Sequence, residues 1–197
     1  MKLLAFVDLH GEIKAIKKIV KNSHKAELLV CAGDISMFQQ GLDRILSLLN
    51  KSKKPVLIIP GNHEDPKNLR QVCSEFENLI CIHNKSFVYG NYLFLGYGTG
   101  GFSVRDEDFN RATRNFSRII RKNHDKKIIL VTHAPPFGTK LDLINGEYRG
   151  NKDIRDFIKR NRINLVICGH LHENFKVMDK MGSTIIVNPG FMKMIEI

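Results

Sequence analysis

Residues 58–66 read IIPGNHEDP. The run PVLII (55–59) before it has the composition of a buried strand, rich in β-branched and long aliphatic side chains. Asp65-Pro66 reads as a helix start, with Asp as the N-cap and Pro at the first helical position. Between strand and helix stand Gly61, Asn62, His63 and Glu64. A turn needs a glycine and one Asn or Asp. It does not need a histidine and a further acid. Glu64 either orients a neighbour or faces solvent, and Asn62 and His63 have no local structural task.

The same excess recurs along the chain. LLAFV (3–7) runs into Asp8-Leu9-His10, and LLVCA (28–32) into Gly33-Asp34. IILVT (128–132) ends at His133, and LVIC (165–168) at Gly169-His170-Leu171-His172. Five apolar runs thus deliver ligand-type side chains at their carboxyl ends, where open α/β sheets place their sites. Of the eight histidines, His10, His63, His133, His170 and His172 occupy these ends. His24 and His124 sit among polar residues and read as surface. His83 ends an apolar run without a motif and reads as structural. Taken singly, Asp34 after a glycine reads as a turn residue and His133 as a loop histidine; only the set overturns those readings. Imidazole nitrogens mixed with carboxylate and amide oxygens suit borderline first-row metals and not calcium, which wants oxygen alone. Asp8 and His10 are two residues apart, as are His170 and His172, so alternation at a strand end would point each pair the same way. The groups are too many for one tetrahedral ion and fit two ions sharing a carboxylate.

The rest of the pattern sets the fold class. Strands over 3–7, 27–32 and 55–59 alternate with helices over 12–21, 41–49 and from Asp65, which implies βαβ units and a parallel sheet. Residues 79–96 hold short strands without helices between them. A helix over 106–122, a strand at 127–133, a helix near 151–160 and a strand at 164–170 follow. FKVMD and TIIVN, with KMGS as the turn, read as a hairpin, and MKMIEI as a last strand. The sum is an α/β or α+β sandwich of two mixed sheets with helices outside, in a single domain over 1–197.

Composition narrows the class. With 197 residues, 43% hydrophobic and 26% charged, the chain reads as an ordinary globular domain. The apolar run after Met1 stops at Asp8, too short for a signal peptide or a membrane span. A cytoplasmic protein with no membrane partner is the expectation. Cys31, Cys73, Cys81 and Cys168 lack zinc-type pairing, and Cys31 and Cys168 lie in apolar runs as reduced core residues. The net charge of +11 means either a lysine-rich solvated surface or attraction to phosphate-bearing partners. Arg111, Arg114, Arg118 and Arg121 share one face of the helix at 106–122, so the same two readings apply there, and nucleic acid is a partner the stripe allows without favouring.

D-x-H, GD, GNH-E, a lone His and GH-x-H, in this order and each after a strand, resemble the calcineurin-like metallophosphoesterase superfamily. The resemblance runs from Asp8 to His172 and on to VNPG (187–190). It implies a four-layer αββα sandwich and two divalent metal ions, manganese first and iron, nickel, cobalt or zinc as the other candidates. On matching positions it implies Asp8, His10 and His172 around one metal and Asn62, His133 and His170 around the other. Asp34 would bridge them, and His63 would face the scissile phosphate without binding metal. The implied chemistry is attack by a metal-bridging hydroxide, the ions clamping the phosphate oxygens and His63 acting as general acid.

Departures narrow the branch. Protein phosphatases write GD-x-x-D-R-G, whereas this chain has GDISMFQQG and no arginine there. THAPPFGTKLD (132–142) is more similar to the small bacterial and archaeal phosphodiesterase-type members. Members that keep the fold as a binding scaffold, the retromer-subunit type, lack the histidine after the Asn; here His63 is present. The expected substrate is a small phosphodiester or nucleotide-type ester, with a phosphomonoester as the alternative. LGYGTGGFSVRD (95–106) is the expected substrate-facing loop or a plain connector, and Arg105 within it is the candidate substrate-binding cation.

Overall fold

The structure is a computed structural model that describes residues 1–197. Two sheets stack face to face. The first takes β1 (Lys2–Phe6), β2 (Leu28–Cys31), β3 (Val56–Ile58) and β4 (Leu79–Cys81) as parallel neighbours. α1 (Ile13–Asn22), α2 (Leu42–Asn50) and α3 (Pro66–Cys73) connect them. The second contains β5 (Lys85–Tyr89), β6 (Tyr92–Tyr97), β7 (Lys127–Thr132), β10 (Leu165–Ile167), β11 (Met178–Met181) and β12 (Thr184–Val187). Its order is β11-β12-β10-β7-β6-β5, with antiparallel strands at both edges. β13 (Lys193–Glu196) returns to the first sheet and pairs antiparallel with β1, Lys2 opposite Glu196. A short β8 (Leu143–Ile144) and β9 (Glu147–Tyr148) form a separate hairpin.

Strand alternation builds the layers. In β1, Leu4 and Phe6 face α1–α3, whereas Leu3 and Ala5, with Val7 beyond, face the second sheet. In β7, Ile129 and Val131 face the first sheet, whereas Ile128 and Leu130 pack under α4 (Glu107–Lys122) and α5 (Lys152–Arg160). Central strands buried on both faces explain why these runs are continuously apolar instead of alternating. Each fully buried Leu, Ile or Phe contributes roughly 1.5–3 kcal/mol. The four layers and two mixed sheets match the expected sandwich.

Local signals account for the helix starts. Asp65 caps α3, its Oδ1 accepting from the Lys67 and Asn68 N–H groups at 3.0 and 2.8 Å. Asp106 caps α4 through Phe109 N–H and Asn151 caps α5. Arg111, Arg114, Arg118 and Arg121 all lie on the exposed face of α4, Arg111 paired with Asp108 at 2.7 Å. All four cysteines are free and buried. No helix is long and apolar enough to cross a membrane.

Two local readings need correction. The β11–β12 turn is Gly182-Ser183, because Lys180 and Met181 still pair with Ile185 and Thr184; the expected KMGS turn was too long. The β8–β9 hairpin went unread. Asn145 and Gly146 both adopt positive φ, 50° and 83°, as a two-residue primed turn requires. Its strands are only two residues long, too short to show alternation.

Candidate metal centre

The loops after β1, β2, β3, β7 and β10 meet at one edge of the sandwich. They hold one another by backbone hydrogen bonds: Asp8 N–H to Gly33 C=O at 3.1 Å, His10 N–H to Asp34 C=O at 2.9 Å, and Gly169 N–H to His133 C=O at 2.9 Å. Asp8, His10, Asp34 and His170 have φ of 54°, 44°, 50° and 73°. Asp and His are among the side chains that tolerate this left-handed region, at a cost of roughly 1–3 kcal/mol each. Asp8 and His10 therefore converge through a tight loop beyond the strand, not through the strand alternation expected from their spacing. His172 likewise lies in a 3-10 turn over His172–Asn174.

Burial is graded from floor to rim. Asp8, Asp34 and His133 are buried; His10, His63 and His170 are half-buried; Asn62 and His172 are exposed. A cavity of about 310 Å³ opens above the floor, with Asp34, His10, His63 and His170 among its walls. Close packing of backbone shapes it. A Cβ at Gly61 would stand 2.6 Å from Asp34 Cγ, and one at Gly169 2.8 Å from Asp8 Oδ2.

Imidazole nitrogens and carboxylate oxygens crowd together here. His10 Nε2 is 3.2 Å from His172 Nε2, and His172 Nε2 is 3.9 Å from Asp8 Oδ1. His133 Nδ1 lies 2.9 Å from the Ala32 carbonyl, which fixes the proton there. Its Nε2 then faces Asn62 Oδ1 at 3.1 Å and Asp34 Oδ2 at 3.3 Å. Asp8 Oδ1 and His170 Nε2 are buried without any hydrogen-bond partner. Ligand atoms of Asp8, His10 and His172 lie within 4.8 Å of one another, as do those of Asp8, Asp34 and His133, and of His10, Asp34 and His63. Imidazole nitrogens and carboxylate oxygens crowded this closely, with Asp8 Oδ1 and His170 Nε2 left unpartnered, suit a cation, and the mixed nitrogen and oxygen set fits borderline divalent metals.

The electrostatics of the cluster agree. Burial raises the Asp8 carboxyl to about 6, against the pull of His133 and with a further push from Asp34. Burial lowers His170 to about 4, with His133 adding repulsion. Burial alone would lower His133, but its hydrogen bond to Asp34 and the charges of Asp34 and Asp8 outweigh it and leave it raised.

Glu64, left open by the sequence, organises the floor. It is buried and accepts from Asp34 N–H at 3.0 Å, Gly61 N–H at 2.9 Å, and Ser36 N–H and Oγ–H at 2.9 and 2.7 Å. It thereby ties the loop after β2 to the loop after β3. No local pattern signals this, because Ser36 and Glu64 are 28 residues apart. In Glu64→Gln an amide NH2 would replace one acceptor and face backbone N–H groups. Stability should fall by about 1–3 kcal/mol, read as a lower thermal midpoint of the metal-free protein. An unchanged midpoint would remove Glu64 from this role.

The loop before α4 divides. Gly98 N–H bonds His83 Nδ1 at 3.0 Å, Thr99 N–H bonds Pro60 C=O at 3.1 Å, and Phe102 packs its ring on His170 at 4.4 Å. Burial, with repulsion from Arg70, lowers His83 to about 4, in keeping with a structural, neutral imidazole. The structure does not bring Arg105 to the cavity. Its Nη1 is 2.6 Å from Asp153 Oδ1 and 3.6 Å from Asp156 Oδ2 on α5, so the charge is already paired. Asp153 stands 48 positions away, beyond any local reading.

The chain is similar to known proteins along most of its length. The family model for calcineurin-like phosphoesterase matches residues 1–174. The chain is 33% identical over 199 residues to an uncharacterised protein of Methanocaldococcus jannaschii, covering 96% of this chain and 88% of that protein. It is 23% identical over 178 residues to a probable glycerophosphodiester phosphodiesterase of Arcobacter nitrofigilis, covering 84% of this chain and 64% of that protein. Among solved structures, TT1561 of Thermus thermophilus matches with a TM-score of 0.74 at 17% identity, over 96% of this chain and 88% of that one; this likeness bears on the fold. The chain belongs to the calcineurin-like phosphoesterase family. That family consists of metal-dependent phosphoesterases, phosphodiesterases among them.

Proposed function

We propose that the protein is a phosphodiesterase that works with two divalent cations, manganese first among the borderline metals. Asp8, His10 and His172 would hold one and Asn62, His133 and His170 the other, with Asp34 shared. When bound, the cations supply Lewis acidity toward the phosphate oxygens and a nucleophile at neutral pH. The chain's own contribution is placement and one proton. Glu64 fixes the backbone that carries Asp34, and Ala32 fixes the tautomer of His133. His63 Nε2, 3.8 Å from Asp34 Oδ2, carries the proton for the leaving oxygen.

The observation that supports a diester is the charge of the cavity wall. No lysine or arginine lines it, and Glu173 does. A monoester carries one more negative charge than a diester and calls for cations beyond the metals. Arg105, the nearest by sequence, is spent on Asp153. The probable phosphodiesterase among the relatives is consistent with this reading. The test is kcat/KM for bis-p-nitrophenyl phosphate against p-nitrophenyl phosphate, with the manganese-loaded protein in one buffer. The diester should be preferred. A tenfold preference for the monoester would reverse the assignment.

A further inference from the structure

Two phenylalanines beside the metal centre are exposed where burial would be expected. Phe38, in the loop after β2, is 68% exposed, and Phe102 is 76% exposed. Large apolar side chains left this open are not serving the core. Each instead lies against a histidine of the site. The Phe38 ring is 4.3 Å from His63 and the Phe102 ring 4.4 Å from His170, centroid to centroid.

Their backbones are built for this display. Phe38 has φ 47° and Gln39 φ 65°, the central pair of a tight turn that the Gln40 N–H closes onto the Met37 carbonyl at 2.9 Å, so the phenylalanine stands at a turn tip. Phe102 follows Gly100 and Gly101, at φ 90° and 35°. Gly101 is seated so that a Cβ there would be 3.7 Å from His170 and 3.8 Å from Asn62. Phe102 itself lines the cavity, and Ile144 of the β8–β9 hairpin joins it on the wall. The walls therefore combine ligand-type groups at the base with flat apolar surface at the mouth.

Resting on the phosphodiesterase reading, we infer that Phe38 and Phe102 select the substrate: they stack on a planar aromatic substituent of the diester, as a nucleobase provides. The wall has no lysine or arginine to seek a second phosphate. An aromatic ring accepts any base, because every base has a π-face. The two rings stand at different histidines, so one can meet the group retained on phosphorus and the other the departing group.

The test uses two diesters with the same leaving group. The p-nitrophenyl ester of thymidine 5′-monophosphate and methyl p-nitrophenyl phosphate differ only in the retained substituent. With the manganese-loaded protein, the ratio of their kcat/KM values should favour the nucleoside by roughly tenfold, the size of one base–aromatic stack. The double substitution Phe38→Ala/Phe102→Ala should drive that ratio toward one, chiefly through KM, and the single substitution at the ring that meets the retained group should account for the change. Phe102→Tyr and Phe38→Tyr, which keep a flat ring, should restore it. A ratio near one in the unaltered protein, or a ratio unmoved by the double substitution, would overturn the assignment.

A binding arm separates this inference from the reading beneath it. Titration calorimetry should show thymidine 5′-monophosphate binding the manganese-loaded protein more tightly than methyl phosphate, with the difference lost in the double substitution. If neither p-nitrophenyl diester is hydrolysed but that difference stands, the phosphodiesterase reading fails and the stacking site survives. If both are hydrolysed equally and the two phosphates bind equally, the stacking site fails alone. Turnover of a thymidine dinucleotide without turnover of single-stranded oligothymidylate would assign the rings to small diesters; turnover of both would extend them to strands.

Discussion

Asp34→Asn is expected to abolish turnover and to lower bound metal below two equivalents. Asp34 is 2% exposed, and ligand atoms of Asp8, His10, His63 and His133 all lie within 4.8 Å of its carboxylate in the groups described above. It therefore meets side chains from the loops after β1, β3 and β7. Its own ionisation reflects that centrality. Burial would raise it, but the hydrogen bond and charge of His133, with the His63 N–H at 3.0 Å, outweigh burial and hold it below the usual carboxylate range. Asparagine keeps one oxygen for the His63 N–H. It loses the negative charge and puts an NH2 where the other oxygen faced a cation site. The loss of several kcal/mol of charge stabilisation corresponds to a fall in kcat of roughly 10³-fold or more. Metal analysis of the purified variant and kcat on bis-p-nitrophenyl phosphate measure the two effects, with circular dichroism as the check on folding. Full activity with two metals retained would show that Asp34 is not shared.

The sandwich was legible because the central strands are so uniformly apolar. A run such as Leu3–Val7 that ends abruptly in Asp8 marks both a buried strand and the edge where the site lies. What such a run conceals is which face is which. Leu4 and Phe6 go to the helices and Leu3, Ala5 and Val7 to the other sheet, and nothing in five consecutive apolar residues distinguishes them. The pairing of the last strand was also hidden, since Lys193–Glu196 lies against β1 at the far end of the chain. At the site, the histidines stood out because their type is wrong for turns, and the aspartates only through the set they form with them. Glu64 was not, because an acid beside a helix cap has an innocent local explanation and its partners are Ser36 and Gly61 backbone. Arg105 is the converse case: Phe102, three residues before it, lines the cavity, whereas the partner of Arg105 in space is Asp153. Phe38 and Phe102 carried no signal at all, since a phenylalanine shows its exposure only when the fold fails to cover it.

His63→Gln should separate chemistry from metal loading. The ring lines the cavity next to the ligands, 4.8 Å from His10 between centroids, and its ligand atom lies close to those of His10 and Asp34. Proximity alone would admit it as a ligand. One observation favours the proton instead: no lysine or arginine on the wall could donate in its place. Its backbone N–H holds Asp34 Oδ1, and glutamine preserves that bond. Bound metal should therefore stay near two equivalents while kcat falls by roughly 10²–10⁴, the span of a lost general acid. The leaving group supplies a sharper readout. Nitrophenolate departs without a proton, whereas an alkoxide or a nucleoside oxygen needs one. The loss in His63→Gln should be at the low end of that span for bis-p-nitrophenyl phosphate and at the high end for a diester with an alkyl leaving group. Equal losses on both would assign His63 to holding the phosphate rather than to donating the proton, and loss of metal would make it a ligand.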